Sequence, residues 1–235
     1  MSATLRLDLA AARAQGSPSI ADAIAASRLV CFPTDTVYGV GGRLSPEVHQ
    51  AVIAAKGRDA GKPLQVIYST LNLLEASLDL APRILDAARR LLPGPFTLLV
   101  PYPPGWVFPP AGEVVQPEDE RDGSRGRGTR TLGVRVPAWP DAARSLAGLP
   151  FPLLASSANP SGGEAPRAVA EVDPGLLGVC DLVLDAGPVG GTASTVIDLS
   201  RYASEGGWRI LREGSIDEEG VARLLDGAGE ESGSR

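Results

Sequence analysis

A chain of 235 residues and 24.3 kDa, 43% apolar and 21% charged, can bury roughly 70–75% of its unfolded surface as one domain and needs no disulfide framework. Its net charge of −6 and pI near 4.9 argue against bulk, charge-driven binding of nucleic acid, though a local basic groove remains open to it. The single histidine, His49, reads as an exposed residue of a polar helix-like stretch, which sets aside Ser-His-Asp, Cys-His and multi-histidine metal chemistry, and Cys31 and Cys180 have no companions at metal-ligand spacing.

The N-terminal stretch Met1–Arg13 carries Asp8 and no sustained apolar core, so it does not read as a secretory signal. No apolar run approaches the ~18 residues of a membrane span. Both features point to a cytoplasmic protein with reduced thiols and no membrane partner. Leu5–Leu9 reads as a short strand. Ser19–Arg28 reads as an alanine-rich helix capped by Ser17 or Ser19. Leu29–Phe32, ended by Pro33, has the profile of a buried strand with Cys31 in the core. Ser45 caps a helix with Pro46 at its first position; Val48, Val52 and Ala55 line its inner face, Gly57 stops it, and His49 falls on its exposed side.

Leu64–Tyr68 reads as a strand, Ile84–Leu91 as an amphipathic helix closed by Pro93-Gly94-Pro95, and Phe96–Val100 as another strand. Residues 102–130, rich in proline, glycine and charge, form a long loop, either a lid or a disordered segment. Strands follow at Leu132–Val136, Pro152–Ala155, Leu182–Leu184, Thr195–Leu199 and Arg209–Leu211. Helical stretches near Asp141–Leu146, Ala168–Val172 and Asp217–Leu225 alternate with them. The polar tail from Gly227 reads as disordered, leaving 1–226 as the folded domain. Interleaved strands and helices, with short strand-to-strand links late in the chain, predict an α/β domain with a mixed sheet.

Two motifs are decoys. Gly39-Val-Gly41-Gly42 begins like a dinucleotide fingerprint, but Leu44 occupies the place of its third glycine. The segment Gly57–Pro63 is one residue short of a phosphate-binding loop, and Pro63 replaces the magnesium-binding hydroxyl. Five other clusters can carry chemistry. The stretch Pro33–Gly39 sets hydroxyls and Asp35 after a strand, where a small polar ligand binds or where the turn caps itself. Of 22 cations, only Lys56 and Lys62 are lysines, and with Arg58 they crowd a glycine-softened loop suited to a polyphosphate. Strand alternation puts Thr131, Gly133 and Arg135 on one face, where a guanidinium can meet a carboxylate or phosphate. Ala155–Gly162 has the small hydroxyl and amide groups of an anion cradle ahead of a helix starting near Pro166, or of an Asn-Pro turn. The segments Ala193–Asp198 and Ile210–Gly214 complete the set.

The order and spacing of these blocks resemble the YrdC-like threonylcarbamoyl-AMP synthases from about Ala21 to about Ile216. The matching elements are Pro33-Thr-Asp-Thr-Val-Tyr-Gly39, Lys56-Gly-Arg58 with Pro63-Leu64, Pro93-Gly-Pro-Phe-Thr97, Thr131 through Arg135 and Pro137, Ser157-Ala-Asn-Pro-Ser-Gly162, Ser194-Thr-Val196 and Leu211-Arg-Glu-Gly214. The resemblance implies a twisted mixed α/β sheet around a wide basic cavity. It also implies condensation of L-threonine, bicarbonate and ATP, carried with Mg2+, into threonylcarbamoyl-AMP and pyrophosphate. The product would pass to a tRNA threonylcarbamoyltransferase complex.

By position, Lys56, Arg58, Ser157 and Asn159 would serve the chemistry. Thr34, Arg135, Ser157 and Ser194 would hold threonine, and Arg58, Lys62, Thr131, Ala155, Ala165 and Arg212 the nucleotide. No protein-only metal site is implied. The chain departs from the family at Asp59, where a proline is usual, at Ile67, where two-domain members carry histidine, and at Ala165, where many have a hydroxyl. It stops soon after Ile216, without the extra C-terminal domain of longer members. A weak RNA-binding or ribosome-assembly role and a carbamoyl-adenylate-forming carbamoyltransferase are the competing readings.

Overall fold

The computed structural model describes residues 4–11, 19–57, 64–103, 106, 112–114, 129–160 and 162–226. Eleven strands join one mixed sheet: β1 (Leu5–Asp8), β2 (Val30–Pro33), β3 (Tyr38–Arg43), β4 (Gln65–Ile67), β5 (Phe96–Pro101), β6 (Gly112–Val114), β7 (Thr129–Arg135), β8 (Leu153–Ser157), β9 (Leu182–Asp185), β10 (Thr195–Asp198) and β11 (Arg209–Arg212). Their order is β1-β9-β2-β3-β8-β4-β7-β5-β10-β11, with β6 on β7. The pairs β1/β9, β2/β9, β4/β7 and β5/β10 are parallel and the remainder antiparallel, as the interleaved pattern predicts.

Seven α-helices are described: α1 (Ile20–Ala26), α2 (Pro46–Lys56), α3 (Leu71–Ser77), α4 (Pro82–Leu91), α5 (Pro174–Gly178), α6 (Tyr202–Glu205) and α7 (Glu218–Asp226). The residues Asp141–Gly148 and Val169–Glu171 are 3₁₀ helices. The Ser45 hydroxyl accepts the Val48 N–H at 3.2 Å, and Gly57 closes α2 in the left-handed region at φ 54°. This cap pair ends the helix with Lys56 in its last turn, next to the sheet.

Strand alternation splits the core in two. On one face Val40, Val66, Leu98, Val134, Leu154 and Ile197 pack under α2, α4 and α7 through Val52, Ile84, Leu91 and Val221. On the other, Phe32, Ile67, Leu153, Leu182 and Leu184 pack under Ile24 of α1 and Leu146 of the long 3₁₀ helix. That second cover stops at β4. Beyond it the same face, across β7, β5, β10 and β11, is open.

Several elements differ from the sequence reading. Strand β3 falls where the glycines argue against a strand; a Cβ at Gly41 would stand 1.9 Å from the Leu154 carbonyl oxygen, so close sheet pairing here requires glycine. The helix expected from near Pro166 is reduced to the 3₁₀ turn Val169–Glu171, and α3, capped by the Thr70 hydroxyl, was not expected. Within residues 102–130, Gly112–Val114 pairs with Thr129–Thr131, so part of the expected loop extends the sheet; 104–105, 107–111 and 115–128 lie outside the described residues. So do Ser17, the tail from 227 and the Arg58–Lys62 segment. Cys31 and Cys180 are buried, and burial pushes the Cys180 thiol up to about 12 and that of Cys31 higher still, so both are inert core residues. No helix among the described residues is long and apolar enough to cross a membrane.

Candidate functional site

A cavity of about 650 Å³ opens over the uncovered half of the sheet face. Register builds its floor. Gln65 of β4 lies between Gly133 of β7 and Ala155 of β8, and Ile67 lies beside Arg135. Leu99 is opposite Gly133, and Val196 is opposite both Thr97 and Arg212. Continuing the β5/β7 register sets Thr97 beside Arg135, so Arg135, Thr97, Val196 and Arg212 cross the sheet as one row. Gly39, Gly133 and Ala155 keep the floor low. Lys56, Arg135 and Arg212 are the charged side chains among the described lining residues, and all are cations.

Arg135 is only 2% exposed. Its Nη2 donates to Asp35 Oδ1, to Thr36 Oγ1 at 2.6 Å and to Thr34 Oγ1 at 3.4 Å, while its Nε is buried with no partner among the described residues. Burial lowers the Arg135 pKa and Asp35 opposes that shift. Asp35 Oδ2 in turn accepts the Ala138 N–H at 3.0 Å. The Thr34 hydroxyl donates to the Val37 carbonyl at 2.7 Å and accepts the Thr36 and Val37 N–H groups at 3.3 Å. The turn of Pro33–Gly39 therefore caps itself through Thr34, and Thr34 also lines the cavity. Asp35 does not cap; it neutralises the arginine.

Lys56 reaches from the end of α2 to β8, donating to Ser156 Oγ at 2.9 Å and to the Ser157 carbonyl at 2.6 Å. Strand β8 runs through Ser157, so the small-residue segment begins inside the sheet. Asn159 follows; its Nδ2 donates to the Gly163 carbonyl, and its Oδ1 is buried without a partner among the described residues. On the far side, Arg212 Nη2 donates to the Ser194 carbonyl at 2.9 Å and to Ser194 Oγ at 3.1 Å. Burial lowers the Arg212 pKa first, and the charge of Arg135 adds to the shift. Two desolvated cations that feel each other across an open floor favour an anion between them.

The structure gathers Thr34, Lys56, Arg135, Ala155, Ser157, Asn159, Ala165, Ser194 and Arg212 around this one cavity. Thr131 is buried on the Gly133–Arg135 face of β7 but is not among the lining residues. Arg58, Lys62 and Asp59 lie outside the described residues. Sequence reasoning assigned no site role to Gln65 or Thr97, and it did not pair Asp35 with Arg135. Thr97 and Asp35 stood inside quoted motifs, so a signal existed for them; Gln65 had none, because its partner is distant in sequence. Among the described residues no group of three or more His, Cys, Asp and Glu side chains can hold a metal ion.

Comparison with known proteins agrees with this geometry. The Sua5/YciO/YrdC family model, described under telomere recombination, matches residues 22–214. A threonylcarbamoyl-AMP synthase of Pyrococcus abyssi is 31% identical over 201 residues, covering 84% of this chain and 54% of that protein. One of Xanthomonas campestris is 32% identical over 179 residues, covering 72% of this chain and 84% of its own length. The crystal structure of P. abyssi Sua5 complexed with L-threonine superposes with a TM-score of 0.70 at 28% identity, covering 95% of this chain and 60% of that one. The chain thus spans little more than half the length of the P. abyssi protein. Taken with the mixed sheet and its cationic cavity, these matches establish that the chain belongs to the Sua5/YciO/YrdC family.

Proposed function

We propose that the protein is an L-threonylcarbamoyladenylate synthase. The observation that carries the reading is the cavity: in a chain of net charge −6, the charged side chains among its described lining residues are all cations, and none is a thiol, imidazole or carboxylate. Such a site suits a reaction that needs alignment and charge neutralisation rather than a protein nucleophile. The synthases of P. abyssi and X. campestris support the assignment by name, and the threonine-bound Sua5 supports the amino acid.

In this reading the threonine amine and bicarbonate give a carbamate and water. A carbamate oxygen then attacks the α-phosphorus of ATP, and pyrophosphate leaves with the bridging oxygen and its electron pair. Arg135 anchors the threonine carboxylate, with Thr34, Ser157 and Ser194 around it. Lys56 and Asn159 align the reacting groups, and Arg212, Ala155 and Ala165 hold the nucleotide. Arg58, Lys62 and Thr131 complete the nucleotide side. Magnesium carried on ATP would supply further charge neutralisation at its phosphates, beside the cations of the cavity. Separate transferase partners then take the product to tRNA.

The test is incubation of the purified chain with ATP, magnesium, bicarbonate and L-threonine. Threonylcarbamoyl-AMP, seen by mass spectrometry with matching pyrophosphate, is the expected result. Adenylate formed only from carbamoyl phosphate would overturn it in favour of carbamoyl transfer. Silence in both, with salt-sensitive RNA binding, would overturn it in favour of an RNA-binding role.

A further inference from the structure

We infer that Gln65 is a further binding residue of this site, donating from its side-chain amide to an oxyanion held between Arg135 and Arg212. The inference rests on the synthase reading for the identity of that anion, but its geometry is independent.

Thr97 Oγ1 lies 3.0 Å from Gln65 Oε1 and 2.9 Å from Ser194 Oγ, and Arg212 Nη2 donates to Ser194 Oγ at 3.1 Å. Each hydroxyl has one proton to give. Donors and acceptors match in one direction: Arg212 to Ser194, Ser194 to Thr97, Thr97 to the Gln65 oxygen. Turning the amide round would make Thr97 accept from it, and either the Thr97 or the Ser194 proton would then have no acceptor among the described residues. The chain therefore fixes the amide with its oxygen towards Thr97 and its NH2 group towards the cavity.

The strand order makes this contact possible. Gln65 on β4 and Thr97 on β5 are separated by β7, and the floor residue between them is Gly133. With no side chain there, Gln65 crosses β7 to reach a residue beside Arg135. The Gln65 NH2 group makes no hydrogen bond to the described protein, and Gln65 lines the cavity. Gln65, Arg135 and Arg212 line the same cavity, so the two Gln65 donors are open to the space that both guanidinium groups share. A carboxyl or phosphoryl oxygen fits there; in the synthase reading this is the junction where the carbamate meets the α-phosphate.

The experiment uses the full chain with Gln65→Leu, Gln65→Glu, Thr97→Val and Thr97→Ser. Calorimetry measures binding of AMP and of L-threonine separately, and pyrophosphate release gives KM and kcat. Loss of a hydrogen bond to a charged group predicts about tenfold weaker binding in Gln65→Leu. Gln65→Glu, which adds a negative charge to the anion site, weakens binding further. Thr97→Val frees the amide and loses part of the affinity, and Thr97→Ser restores it. Weaker AMP binding assigns the oxygen to the phosphate; weaker threonine binding assigns it to the carboxyl group. Unchanged affinity for both ligands in Gln65→Leu, with an unchanged melting curve, overturns the proposal. Should Gln65→Leu not fold, the same null result in Thr97→Val and Gln65→Glu overturns it. A wild-type chain that makes no adenylate defeats the synthase reading alone, because the binding measurements still test Gln65.

Discussion

One face of the sheet serves two purposes in its two halves. From β1 to β4 it is covered: Phe32, Ile67, Leu153 and Leu182 meet Ile24 and Leu146, and the space is filled by apolar side chains. From Gln65 at the start of β4 across β7, β5, β10 and β11 the same pleat is uncovered, and the residues facing that way are Gln65, Thr97, Gly133, Arg135 and Arg212. Backbone geometry is shared, so the difference lies in the side chains and in where the covering helices stop. The covered half gains free energy by burying apolar surface. The open half keeps polar groups satisfied by one another, at some cost in stability, so that a ligand can replace water.

Substitutions separate the halves. Arg135→Ala has the largest effect, because it removes the anchor of the open half and leaves Asp35, 10% exposed, without its counter-charge. Loss of one partner from a buried pair costs about 3–5 kcal/mol. Threonine-dependent pyrophosphate release is expected to fall by at least about a hundredfold alongside it. Denaturant titration and kinetics on one preparation check both, and full activity in this variant would break the comparison.

Leu146→Ala, at a residue with no exposure in the covered half, is expected to cost about 2–5 kcal/mol while KM for threonine stays put. A raised KM would mean that the halves are coupled. Lys56→Ala removes a cation bonded to Ser156 and Ser157 and should lower kcat about a hundredfold with little change in melting temperature. Single-turnover adenylate formation measures it.

The smallest effect lies at the covered edge. Arg6 Nη2 bonds Asp185 Oδ2 at 2.5 Å. Burial pushes the Asp185 pKa up, but the Arg6 hydrogen bond, the Gly187 N–H and the Arg6 charge together bring it below the ordinary 3.8. A lowered carboxylate pKa stabilises the fold above the unfolded value and ceases to do so as pH falls through the folded one. Asp185→Asn should therefore cost about 0.5–1 kcal/mol at neutral pH, and the gap should close below pH 3.8. Melting curves across pH 2–7 would expose a constant gap, which would sink the ion-pair account.

Much of this was legible in the chain itself. Apolar periodicity and caps located α2, α4, β5 and β7, because local pattern decides which face of an element is buried. The motif blocks and the resemblance carried nine lining residues, most of them in or beside a recognisable strand and Lys56 at the end of α2. Strand β3 was not legible: its glycines are disfavoured in strands, and only the approach of the Leu154 carbonyl makes them necessary. Nor was the Arg135–Asp35 pair, which joins two segments a hundred residues apart.

The sequence by itself determined the fold class and the family. These follow from composition, periodicity and short ordered motifs, each of which is local. Tertiary structure alone decided that the floor is open, that Asp35 neutralises Arg135, and that Gln65 reaches Thr97 over Gly133. Those features depend on strand order, and strand order is set by packing between segments far apart in the chain, which no local pattern encodes.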